Sequence, residues 1–378
     1  MAAKRTPIGR RLRVGRRAHR PPVGAGKSGH LLILAPLAAS VAIGCAVALA
    51  RVSSSRRTTR SRAKADARLG LIYGEQLGDA LRRMALGQIE LAQESLGGEL
   101  PLDTRSVHEL RKALKRLRAL MHLLEGELEH ASVEDLVLRD LGRRLSRARD
   151  AAVLLSTLES VLADEPKLAS GKRVRSLRRR LALEQARAER ETLADPRLRE
   201  EMLADLMQLH ERVERWQLLQ DGRAGPVERG LRIVYRDGRR QHRLLRRGKR
   251  SGMKARHEWR KRAKDLRYAA EMLQPSGPAP ADASSVRGAY LHKTARRADK
   301  LSELLGEEHD LGLLAQWLDG DGDRDATGRR ALGARKQRQL QAAIAKRRRK
   351  LRKRAMKDGG LLYRRRPKRF ATRVRLSA

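Results

Sequence analysis

From about residue 66 onward, apolar residues recur every three or four positions, the spacing that lines one face of an α-helix. In "HELRKALKRLRALMHLL" the stripe is Leu110, Leu114, Leu117, Met121 and Leu124. His108, Arg111, Lys112, Lys115, Arg118 and His122 fall on the opposite side. "HEWRKRAKDLRYAAEML" repeats the arrangement. Trp259, Ala263, Leu266, Ala270 and Leu273 line one face, and His257, Arg260, Lys261, Lys264 and Arg267 the other. Breaks are expected at the Gly-, Pro- and Asp-rich stretches 97–103, 164–167, 194–196, 221–226, 248–252, 274–282 and 319–325. No run alternates with the period of a strand. The pattern predicts an all-α chain of about eight to ten helices.

Before residue 66 the pattern changes. Residues 1–30 are rich in Arg, Gly and Pro without apolar periodicity and read as a disordered basic arm. "LLILAPLAASVAIGCAVALA" (31–50) is uncharged and long enough for a transmembrane helix, so one N-terminal membrane anchor is expected. Arg and Lys flank it on both sides, so charge does not orient it. Residues 51–65 form a polar linker.

The two basic helices belong to an internal repeat. With His108 set on His257, Glu109 meets Glu258, Arg111 meets Arg260, Lys112 meets Lys261, Lys115 meets Lys264 and Arg118 meets Arg267. Further on, "LSRARDAAVLL" (145–155) parallels "LGEEHDLGLLA" (305–315), which pairs Asp150 with Asp310 and sets Arg149 where His309 stands. Residues 66–375 therefore read as a duplication, 66–220 followed by 226–375.

Charge decides what the duplicated unit is for. The 378 residues include 87 Lys and Arg against 44 Asp and Glu, a formal net charge of +43. Such an excess opposes a compact state unless a polyanion or counterions neutralise it. Too few acids are present to neutralise both ladders, which favours anion binding over a merely solvated face. Phe, Trp and Tyr amount to only 2%, which leaves little for base stacking and argues against a single-strand nucleic-acid platform. A single cysteine, Cys45, excludes an internal disulfide framework. Residues 334–378 hold nineteen Lys and Arg and one acid, Asp358. "AKRRRKLRKR" (345–354) is basic all round, as a solvated tail or a nonspecific polyanion contact would be.

These pieces resemble the CHAD domain, the conserved-histidine α-helical domain. The likeness is carried by "VHELRKALKRLR", "LSRARDAAVL", "YRDGRR" (235–240), "ARHEWRKRAKDLRYAAEML", "LSELLGEEHDLGLL" and "YRRRPKRF" (363–370), in that order. The resemblance implies two pseudo-symmetric helical bundles around a basic central groove that binds inorganic polyphosphate. Carried over by position, the groove would be lined by His108, Arg111, Lys112, Lys115 and Arg118 and by His257, Arg260, Lys261, Lys264 and Arg267. Arg239, Arg240 and His309 would be secondary contacts. The likeness departs at Asp265, which replaces the arginine found at Arg116, and at Arg149. Polyphosphate is a flexible chain of charged groups with no bases, which suits Lys point charges and Arg forks. Cytoplasmic placement, tethering by residues 31–50 and association with polyphosphate granules are the matching expectations. The rival is a general nucleic-acid or anionic-lipid binder that uses the basic tail.

Enzyme chemistry has little support. The E-x-E-x-K signature of triphosphate tunnel modules is missing, since "ELEHA" (127–131) lacks the lysine. His309-Asp310 has no companion ligands in sequence, so neither a metal nor another cofactor is expected, and Asp310 is expected to salt-bridge a neighbouring arginine. No P-loop, zinc spacing or nucleophile constellation is present. A non-catalytic binding protein is the expectation.

Overall fold

In the computed structural model, residues 69–219, 224–276, 286–320 and 332–376 are described. The segments read as basic arm, membrane helix and linker lie outside them. Among the described residues no helix is long and apolar enough to cross a membrane.

The first half of the repeat holds α1 (Leu77–Leu96), α2 (Thr104–Leu124), α3 (Ala131–Arg144), α4 (Ser146–Asp164), α5 (Pro166–Ala169), α6 (Lys172–Leu193) and α7 (Pro196–Glu214). The second half holds α8 (Gly225–Arg246), α9 (Gly252–Met272), α10 (Val286–Asp319), α11 (Ala334–Leu362) and α12 (Pro367–Arg373). Local chemistry explains several starts. Asp103 caps α2 by accepting from the Ser106 amide at 2.7 Å. Asp195 does the same for α7 from the Arg197 amide at 3.0 Å, and Pro196 follows at the first helical position. One feature departs from the all-helical expectation. Leu71–Ile72 (β1) and Pro275–Ser276 (β2) form a two-residue parallel pair, too short for a period-2 pattern to show in sequence.

The predicted apolar stripes are core. Leu110, Leu114, Leu117, Met121 and Leu124 of α2 are buried, as are Trp259, Ala263, Leu266, Ala270 and Leu273 along α9. Each large side chain of this kind contributes roughly 1.5–3 kcal/mol on burial. α2 packs directly on α9, and α4 on α10, so the two halves meet along both pairs. α8 also lies against α2. At that crossing a Cβ on Gly230 would stand 1.9 Å from the Leu123 carbonyl oxygen, so only glycine lets the backbones approach this closely.

Helix α11 corrects the reading of residues 345–354 as a solvated tail. Leu340, Ile344, Leu351 and Ala355 bury one face of it. Its arginines are partly consumed by carboxylates on α10. Glu308, wholly buried, accepts from Arg256 (3.0 Å), Arg348 (3.0 Å) and Arg352 (2.9 Å). Glu307 accepts from Arg347 at 2.6 Å. The three-arginine clamp joins α9, α10 and α11 at one point.

Candidate functional site: a cationic seam between the two halves

The ladder residues divide into neutralised and unneutralised groups. At the C-terminal end of each ladder the arginine is paired internally. Arg118 makes a bidentate contact to Asp135 at 2.8 and 3.0 Å. Arg267 pairs with Glu271 at 2.7 Å and also with Asp299. Nearer the surface, Lys112 stands 3.5 Å from Glu109, and Lys261 stands 2.8 Å from Glu258. Both are i,i+3 pairs worth a few tenths of a kcal/mol.

Between these ends lie Arg111 and Lys115 on α2 with Arg260 and Lys264 on α9. No carboxylate forms an ion pair with any of the four among the described residues. The seam is crowded enough to alter their protonation. Burial first, then Arg111, Arg149 and Arg260, push the Lys115 ammonium down to about 7. Burial, then Arg260, Lys115, Arg149 and Arg267, push Lys264 down to about 6. Lys115 and Lys264 thus repel each other across the boundary between the halves. Burial also lowers Arg111 to about 10, and lowers Arg260. The Nε atoms of both arginines are buried without a hydrogen-bond partner. Arg260 reaches across to α10, where a Cβ on Gly306 would come within 2.7 Å of its guanidinium.

A fifth cation, Arg149, was absent from the sequence-derived set. It sits on the first turn of α4 and contributes to the repulsion felt by Lys115, Lys264, Arg260 and His309. The available signal was its alignment with His309.

His257 and His309 face each other with ring centroids 4.4 Å apart. Burial and the surrounding cations depress both to about 4, so both rings are neutral at pH 7. Their Nδ1 atoms are buried and unpaired. His108, the counterpart of His257, is exposed.

Asp150 and Asp310 are the nearby acids. Among the described residues Asp150 forms an ion pair only with Arg149, at 3.6 Å. The expected Asp310 salt bridge does not form: among the described residues no arginine comes within ion-pair distance of it. Burial raises its carboxyl, while Arg260 and Arg149 act on it through space in the opposite sense. Five cations thus face two carboxylates.

The remaining secondary candidates lie elsewhere. Arg239 donates to the Tyr363 carbonyl at 3.1 Å and lines a different cleft, and Arg240 is exposed. No group of three or more His, Cys, Asp or Glu side chains is placed to hold a metal among the described residues.

The model of the CHAD domain family matches residues 84–319, more than half of the chain, and the protein belongs to that family. Among solved structures, the CHAD domain from the plant Ricinus communis is similar, at 19% identity and a TM-score of 0.47 over 82% of this chain and 95% of that one. No curated protein matches the chain.

Proposed function

We propose that the seam is a binding site for inorganic polyphosphate and that the protein holds this polymer without chemically changing it. One observation carries the reading: Arg111, Lys115, Arg149, Arg260 and Lys264 converge from both halves, half-buried, with only Asp150 and Asp310 nearby. A folded protein gains nothing from depressed lysines in an empty seam. Each costs stability until an anion restores its charge. A phosphate chain does this with many identical oxygens, supplies acceptors for the orphaned arginine Nε atoms, and needs no aromatic platform. His257 and His309 would add donors once protonated. Counterion release would make the affinity fall steeply with salt. Membrane tethering through residues 31–50 and granule association are consistent extensions of the same reading.

The test compares full-length protein with the Lys115→Met/Lys264→Met double variant in binding labelled long-chain polyphosphate, with tRNA and duplex DNA as competitors at physiological salt. Weaker polyphosphate binding by a variant with unchanged circular dichroism supports the seam. Equal displacement by nucleic acid at matched phosphate would remove the case for polyphosphate.

A further inference from the structure

A second basic surface lies apart from the seam and shares no lining residue with it. Along α8, Arg232, Arg236, Arg239, Arg243 and Arg246 follow one another at intervals of four, three, four and three residues. They therefore share one face and form a rail about 21 Å long. Opposite them, the connection between α11 and α12 supplies Arg364 and Arg366, and the start of α12 supplies Lys368 and Arg369. Together the two walls enclose an open cleft of about 1180 Å³. None of its lining residues is acidic. Arg236 contacts Asp237 at 3.2 Å; Arg243, Arg246 and Arg366 are exposed and pair with no carboxylate among the described residues.

The second wall is held in place. Phe370 stacks on Tyr235 with centroids 4.0 Å apart and planes 8° from parallel. The Tyr235 hydroxyl donates to the Arg365 carbonyl at 3.1 Å, and Arg239 donates to the Tyr363 carbonyl. Further along, the Leu376 amide donates to Glu228 at 2.7 Å. An aromatic cluster and three backbone anchors thus fix two like-charged walls against their own repulsion. A loose basic terminus would need no such construction.

We propose that this cleft is a second polyphosphate site, independent of the seam, so that one molecule can hold two chains and cross-bridge them. This rests on the seam reading for the identity of the polymer. Two observations favour a phosphate chain over nucleic acid. Arginine forks recur once per helical turn, suited to unbroken runs of phosphate oxygens. No exposed aromatic lines the cleft, since Tyr363 is buried, so bases would find nothing to stack on.

The experiment titrates tripolyphosphate into the full chain by calorimetry and follows light scattering with long-chain polyphosphate. Four proteins are compared: wild type, Arg243→Glu/Arg246→Glu/Arg366→Glu, Lys115→Met/Lys264→Met, and the combination. Each triple or double variant should lose one tripolyphosphate per chain, and the combination two. Long chains should produce scattering with wild type that peaks at an intermediate ratio, and both single-site variants should bind without it. If the charge-reversed cleft misfolds by circular dichroism, Gln replaces Glu at the three positions and the same loss is expected. Unchanged stoichiometry in the cleft variant overturns the second site and leaves the seam untouched. Loss of all binding in the cleft variant, with none lost in the seam variant, overturns the seam reading and the two-site proposal together. Stronger binding of duplex RNA than of polyphosphate to the seam variant would make the cleft a nucleic-acid site and end the proposal.

Discussion

His122 on α2 stands 3.3 Å from the Asp265 carboxylate on α9 and 3.6 Å from Asp135 on α3, so one imidazole ties the two halves together. Burial disfavours its charge, but the two carboxylates outweigh burial and raise it from 6.5 to about 9.

A raised folded value means that the contribution is complete below about 6.5 and disappears as pH rises through about 9. Thermal denaturation of the wild type should show this decline between those limits. His122→Gln should remove the decline and cost on the order of 2 kcal/mol at pH 6, since it removes the cation shared by two partly buried carboxylates and leaves Asp135 with Arg118 and Asp265 with Arg262. A variant that keeps the full slope would show that other groups carry it.

Polyphosphate affinity should depend on pH through the seam lysines. In the free protein Lys115 and Lys264 sit at about 7 and about 6, and a bound anion restores them toward the ordinary lysine range. Binding above neutrality therefore takes up protons, and affinity should fall as pH rises from about 7 to 9. Calorimetry in buffers of different ionisation enthalpy would measure the uptake. Lys115→Met/Lys264→Met should abolish it. By about pH 4–5 both lysines are charged, and any further gain in affinity belongs to His257 and His309.

The same residues set stability against binding. Lys264→Met removes a half-buried amine that must largely give up its proton on folding, because burial and four other cations oppose its charge. It should stabilise the unliganded protein by on the order of 1 kcal/mol while weakening polyphosphate binding at least tenfold. Denaturant unfolding and a binding isotherm on one preparation decide the matter. Destabilisation would mean that the lysine stem packs more than its charge repels.

Glu308 predicts the opposite balance. Its replacement by Gln leaves Arg256 and Arg348, each less than one-fifth exposed, without a counter-charge. The loss should be about 3–5 kcal/mol, seen as a large drop in Tm. If Glu308→Gln changes Tm little, α9, α10 and α11 are held by their apolar faces alone.

The stripe of Leu110, Leu114, Leu117 and Met121 marks the core face of α2 in the sequence itself, because helical periodicity directly reflects burial. The repeat likewise located Arg111, Lys115, Arg260 and Lys264. What periodicity could not reveal was their neutralisation. Arg118 and Arg267 match the other ladder residues in spacing, yet Asp135 and Asp299 reach them from other helices. Residues 345–354 misled for the same reason: the charge count of α11 hides how many of its arginines are spent on Glu307 and Glu308. The Tyr235–Phe370 stack spans 135 positions of sequence, beyond any local pattern, so the cleft it supports was visible only as scattered arginines.

The mismatch between Arg149 and His309 makes the duplicated walls chemically unequal. A guanidinium remains cationic across the biological pH range, whereas the imidazole opposite becomes cationic only in acid. At this pair of positions one wall is fixed and the other adjustable, so acidification should tighten the seam's grip by degrees rather than switch it on.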